Sequence, residues 1–217
     1  MFTFNAVRLL EVGFMGGLLA LVGAASGTGA VIVTASPEGP DVVVAGGGTL
    51  NLGDGLFTPQ LFGAGGGILP AGEIVIGPPA TVGVDGYVLN DFRGPLSFGV
   101  AGVGPSFFPL APTSGSGDTF GVEFGGLNFG FGGLVITPLG YTPGTPLVGS
   151  STYAGRTLSS LGLAPGEYRW SWGSGGGADS FTLRIVPAPS AAALLVIGMG
   201  GGLLVRTDRS IKRVGVG

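Results

Sequence analysis

Near the C-terminal end, Tyr168, Trp170 and Trp172 alternate with Arg169 and Ser171. After a glycine loop at 173–177, Phe181, Leu183 and Ile185 alternate with Thr182 and Arg184. A period of two belongs to a β-strand, whose successive side chains point to opposite faces. With Ala164-Pro165-Gly166 as a turn before the first arm, the stretch reads as a hairpin with six large side chains on one face. Burying that face contributes roughly 1.5–3 kcal/mol per side chain before entropy is counted. Antiparallel pairing with one face solvated fits the alternation. A lone sheet would leave the chain's other apolar strands without a core. The expectation is therefore all-β, an antiparallel β-sandwich of about eight to ten strands.

Residues 31–185 carry this pattern throughout as one glycine-rich domain. Short β-rich runs recur between glycine and proline clusters. Val31–Ala35 and Asp41–Ala45 read as strands around a turn at Pro37–Pro40, with Gly46-Gly47-Gly48 a bulge or turn before Thr49–Leu52. Further strands are expected at Glu73–Ile76, Thr81–Leu89, Leu96–Val103, Thr119–Phe124, Gly133–Ile136 and Ser151–Tyr153, with one helical turn at Leu158–Leu161. Glycine (48) and proline (16) make up about 29 % of the 217 residues, a level at which disorder must be considered. Against disorder, 45 % of residues are hydrophobic and Phe occurs 14 times.

Several chemistries are excluded by residues that are missing. The chain has no cysteine and no histidine, so disulfides, zinc sites built on those ligands and every nucleophile–histidine arrangement are ruled out. The only lysine is Lys212, which removes a Ser–Lys pair from the body. In the body Arg93, Arg156, Arg169 and Arg184 stand against ten acids. Such a surface repels phosphate backbones, so nucleic acid is not an expected partner.

Both ends look like addresses. At the N-terminus, Arg8 precedes an apolar and glycine run, Val12–Val22, followed by small residues. Eleven such residues suit a secretory signal and are too few to span a bilayer. Residues 1–30 are therefore read as a signal-peptide helix, with cleavage expected after Thr28-Gly29-Ala30 or, alternatively, after Val22-Gly23-Ala24. A hydrophobic first element of the fold is the other reading of this run. At the C-terminus, Val186-Pro187-Ala188-Pro189 leads through Ser190 into fifteen uncharged residues, Ala191–Val205. Arg206, Arg209, Lys212 and Arg213 follow. Prolines are excluded from a helix interior, so a helix is expected to begin near Ser190. At 1.5 Å per residue it reaches roughly 22 Å, short of the ~30 Å hydrocarbon core unless arginines snorkel or the bilayer thins. Glycines 198, 200, 201 and 202 fit a membrane helix better than a soluble one. A single transmembrane helix with its cations in the cytoplasm is the expectation.

This order of proline motif (Val186–Pro189), short apolar helix and terminal basic cluster resembles the PEP-CTERM sorting signal, here over residues 186–213. The chain has Ala188 where the family usually has glutamate, and Asp208 interrupts its basic cluster. The body resembles some members of the family in Val33–Ser36 with Thr49–Leu52, in Ser160–Tyr168, in Trp170–Gly175 and in Ala178–Ser180. The resemblance implies export from a Gram-negative bacterium through an inner-membrane intermediate. It also implies recognition by an exosortase-like membrane peptidase and delivery to the outer surface or extracellular matrix.

Within the body, Tyr168, Trp170 and Trp172 would make a sugar-stacking platform if their rings faced solvent, with exopolysaccharide as partner. The competing reading is that they line the core. Asp54, Asp85, Asp91, Asp118 and Asp179 lie in turn-like contexts without the spacing of a calcium loop, and read as solvated turn carboxylates. No metal, cofactor or catalytic residue is expected. The expected function is a non-enzymatic, exported surface or matrix protein, with a secreted carbohydrate-binding module as the alternative.

Overall fold

The computed structural model describes residues 29–52, 60–89, 91–99, 108–124 and 133–188. Within them are twelve strands: β1 (Ala30–Glu38), β2 (Asp41–Thr49), β3 (Gln60–Ala64), β4 (Gly67–Leu69), β5 (Glu73–Ile76), β6 (Val82–Val88), β7 (Ser114–Gly117), β8 (Phe120–Phe124), β9 (Gly133–Pro138), β10 (Pro146–Tyr153), β11 (Gly166–Trp172) and β12 (Asp179–Ile185). The only helical element among the described residues is one 3-10 turn, Gly175–Gly177. No helix among them is long and apolar enough to cross a membrane.

The strands form two six-stranded sheets. Sheet A runs β11-β12-β1-β2-β10-β7 and sheet B runs β3-β6-β9-β8-β5-β4. One hydrophobic core draws on both. Val31, Val33, Val42, Val44, Phe181 and Leu183 come from sheet A, and Ile74, Ile76, Phe120, Val122 and Val135 from sheet B. In β1 the period is visible directly, because Val31, Val33 and Ala35 are buried while Ile32 is exposed. Sheet B differs in having its second face covered as well. Val75, Val84, Leu134 and Ile136 form a separate buried cluster there. This explains the unbroken apolar runs of β5 and β9, which show no alternation.

The expectation of an antiparallel architecture needs one correction. Among the described residues every pairing but one is antiparallel, and the exception joins the first strand to the last. β1 lies parallel to β12, from Ala30 opposite Ser180 to Ala35 opposite Ile185. Parallel neighbours need a long crossover connection, and here the whole intervening body supplies it. The hairpin that ends the body is thereby placed beside the hairpin that begins it.

Other expectations also shift. Gly46-Gly47-Gly48 is neither turn nor bulge but the continuation of β2 between β1 and β10. A Cβ on Gly46 would lie 2.1 Å from the Ile32 carbonyl oxygen and 2.6 Å from Val33 Cα, far inside van der Waals contact. The turn at Pro37–Pro40 tightens to Gly39-Pro40, where Gly39 takes φ 61°. The stretch Leu96–Val103 is not a strand as far as it is described, and 100–103 lie outside the described residues. Segment 91–99 instead makes two isolated bridges, Arg93 with Ser171 of β11 and Gly99 with Leu163 in the connection before β11. Strands β3, β4 and β7 were not anticipated. β7 is Ser-Gly-Ser-Gly, a sequence with no β-branched or aromatic residue to announce it.

Gly46→Ala is expected to destabilise the fold by at least ~3 kcal/mol, because backbone rather than a flexible side chain blocks the new methyl. Gly176→Ala, which has open space around it, should stay within about 0.5 kcal/mol of the parent. Urea unfolding of the two variants, followed by tryptophan fluorescence, checks the contrast.

Candidate functional site

The aromatic arm faces inward. Trp170 is 0 % exposed and Trp172 is 2 % exposed. Trp170 packs edge-on to Phe98 and Phe181, each at 6.0 Å between ring centroids, and its indole N–H donates to the Pro95 carbonyl at 3.1 Å. Trp172 stacks on Phe92 at 5.6 Å with planes 6° apart, and donates to the Asn51 carbonyl at 3.0 Å. Tyr168 is half-buried, edge-on to Phe98, and its hydroxyl donates back to the Ala164 carbonyl at 3.0 Å. That last contact closes the turn into β11, much as tyrosine corners do in other β folds. Of the three rings that were candidates for sugar stacking, Trp170 and Trp172 are therefore core residues with no face open for a pyranose, and Tyr168 is a half-buried corner residue. The hydrophobic payload of tryptophan outweighs the cost of burial once each N–H has a carbonyl partner.

A hydrogen-bonded polar junction lies at the end of sheet A where β1 begins and β2 ends. Asp179, the first residue of β12, is 5 % exposed. Its carboxylate accepts the backbone N–H of Asn51 on one oxygen and that of Ser180, at 2.5 Å, on the other. The Asn51 side-chain amide donates to the Gly176 carbonyl at 3.2 Å. Beside it, the Tyr141 hydroxyl accepts the Leu50 N–H at 2.9 Å and donates to the Thr145 carbonyl at 2.7 Å. Asp179 thus pins the segment after β2 to the start of β12. It is not a solvated turn carboxylate, and this correction has a plain cause: the residue opens a central strand. Asp118, between β7 and β8, does behave as a turn residue and accepts the Val148 N–H. Asp85 does not: it lies within β6, paired with Leu61 and Thr137, and its carboxylate accepts the Gly140 N–H. Asp54 lies outside the described residues.

Burial raises the Asp179 pKa from its ordinary value to about 6, partly offset by the two N–H donors and by the charge of Arg169. Burial likewise raises the hydroxyl pKa of Tyr153, whose oxygen has no partner.

A second acidic feature escaped sequence reasoning. Glu73 on β5 stands directly opposite Glu123 on β8, and both are buried. Leu69 and Leu134 are their neighbours in the same row. Fifty residues separate the two in sequence, and only strand register brings them together. Among the described residues no three ligand-type side chains cluster tightly enough to hold a metal ion.

The sorting motif is described only in part. Val186, Pro187 and Ala188 follow β12 directly and are exposed. The last sheet bond runs from the Val186 N–H to the Ala35 carbonyl at 2.9 Å. Pro189, the apolar run 191–205 and the cluster Arg206, Arg209, Lys212 and Arg213 lie outside the described residues, as does 1–28. Comparison with known proteins adds no relative: no family model, no curated protein and no solved structure matches this chain.

The raised Asp179 pKa sets a direction for stability. A carboxyl that holds its proton more tightly when folded makes the fold gain stability as pH falls through about 6, levelling off below the ordinary value of 3.8. This group's gain is at most about 3 kcal/mol. The urea midpoint should rise between pH 7 and pH 4.5 at constant ionic strength. Asp179→Ala should flatten that rise.

Proposed function

We propose that this chain is an exported, non-enzymatic protein of the cell surface or extracellular matrix, sorted through its C-terminal tail by an exosortase-like membrane peptidase. The observation that carries the reading is the three-part tail, with its proline motif, its uncharged run and its terminal cations. The position of the motif supports it. Val186–Ala188 is exposed immediately after the last core strand, so a peptidase reaches the chain there without unfolding a sheet. A cut beyond Val186 leaves every described hydrogen bond of β12 in place. At the other end β1 begins at Ala30, beside the expected signal-peptide cleavage site.

In this reading the two sheets are the layers of a β-sandwich, residues 1–30 are removed on secretion, and 191–205 form a membrane helix that holds the intermediate until sorting. A body free of cysteine and lysine, with both tryptophans inside, suits a part that packs rather than reacts. The alternative of a carbohydrate-binding module loses its candidate platform, since Trp170 and Trp172 are buried and Tyr168 closes a turn.

Intact-mass measurement decides the processing. Protein recovered from the envelope and medium of a Gram-negative host with an exosortase should lack the N-terminal signal and everything beyond the 186–189 motif. The same host without the peptidase should accumulate a species that keeps Ile211 to Gly217. Retention of those residues in the exosortase-positive host overturns the proposal.

A further inference from the structure

Gly29 and Ala30 end the segment read as a signal peptide, yet both are built into the fold. Ala30 opens β1, opposite Ser180 of β12 and Thr49 of β2. Its carbonyl oxygen occupies the space a side chain would take at Gly48. Gly29 lies against the Asp179 carboxylate. A Cβ on Gly29 would stand 2.5 Å from Asp179 Oδ2 and 2.8 Å from the Asn51 nitrogen, so this position has no room for a side chain. Bond lengths then put the Gly29 nitrogen within about 5 Å of that oxygen. The carboxylate is buried and is bound by two backbone N–H groups, those of Asn51 and Ser180. Among the described residues no cationic side chain forms an ion pair with it. Arg169 of β11 acts on it through space, and Tyr141 is the other titratable group that senses its charge.

A buried carboxylate is costly to keep charged unless a cation meets it. We propose that this cation is the protein's own N-terminal ammonium, created when the signal segment is cut after Gly27 and Thr28 becomes the first residue. The inference rests on the export reading and moves its first cut three residues upstream of Ala30. Three observations select that position. A cut after Ala30 strips β1 of its first register pair and takes Gly29 away from Asp179. A cut after Ala24 leaves Ala25 to Thr28 between the new ammonium and Gly29. Signal cleavage follows small residues, and Ala25-Ser26-Gly27 places one at the first and one at the third position before the cut. One residue spans at most about 3.6 Å, so an ammonium on Thr28 reaches the carboxylate that Gly29 touches. Before the cut the same nitrogen is a neutral amide. Cleavage thus supplies the missing charge at the junction of β1, β2 and β12, and export tightens the fold that it releases.

The scarcity of lysine makes the test direct. The sole lysine is Lys212, in the tail, so the body's only amine is its own N-terminus. The full chain is exported from a Gram-negative host with an exosortase, and the intact mass of the product is read. A chain that begins at Thr28 is expected. A start at Val31 or at Ala25 overturns the proposal and leaves export intact, whereas a product that still begins at Met1 overturns both. With N-hydroxysuccinimidyl acetate at pH 7, the N-terminal amine should react at least about tenfold more slowly in the native protein than in urea, because an ion-paired ammonium gives up its proton less readily. Asp179→Asn keeps the side chain's size, removes its charge, and should recover most of that difference. The parent protein supplies a reading that needs no variant. An ammonium beside Asp179 favours the charged carboxylate and so removes part of the stability gained on acidification. The N-acetylated protein should therefore show the full rise of the urea midpoint between pH 7 and pH 4.5, and the free-amine protein a smaller one. Equal reactivity in native protein and in urea overturns the proposal. So does a folded Asp179→Asn variant as slow as the parent, or one pH profile shared by the acetylated and free proteins.

Discussion

The parallel contact between β1 and β12 is the constraint on which the rest of the structure depends. It joins the first and last described strands inside sheet A, with β11 beyond β12 on one side and β2 beyond β1 on the other. Six register pairs hold it. Both strands send alternate side chains into the shared core: Val31, Val33 and Ala35 from one, Phe181, Leu183 and Ile185 from the other. Without this pairing, sheet A separates into a β11–β12 hairpin and a β1–β2–β10–β7 sheet, each with a bare edge. Asp179 reinforces the junction by binding the backbone just after β2 to the first turn of β12. That arrangement places a carboxylate where water is scarce, and its raised pKa is the consequence.

Parallel alignment also decides where the ends go. β1 enters sheet A at the Asp179 end, and β12 leaves it at the opposite end, past Ala35 and Ile185. The segments before β1 and after β12 therefore leave sheet A at opposite ends.

The alternating stretches were legible in the sequence for a physical reason. In β11 and β12 one face is buried and the other is wet, so period two is written into residue type. The register Trp170 opposite Phe181 and Tyr168 opposite Leu183 is what that alternation implies. In sheet B, β5, β6, β8 and β9 were found from β-branched content, yet the two-sided burial of β5 and β9 erases the alternation that would say which face is which. β7 was illegible because glycine and serine carry no strand preference, and β10 was recognised only at Ser151–Tyr153, its C-terminal end. The glycine run of β2 misled for a related reason. Glycine signals a turn by its freedom, whereas Gly46 is there because its neighbour's carbonyl leaves no room for a methyl. The parallel pairing had no local signature at all, since it depends on where some 140 intervening residues return the chain. The indole rings sat on the boundary between two readings, and burial decided for the core. Asp179 was indistinguishable from other turn aspartates until its strand was placed in the middle of a sheet.

Amide hydrogen exchange on the body alone, residues 29–187, reads the central contact most directly. If β1 and β12 close the sheet, the shortened chain folds in one cooperative step. The amides of Val31–Ala35 and Phe181–Ile185 then exchange among the slowest in the molecule, near the limit set by global unfolding. Fast exchange in β12, at the rate of the short edge strand β7, would contradict the account, because the last strand would then be a detachable flap rather than the partner of the first.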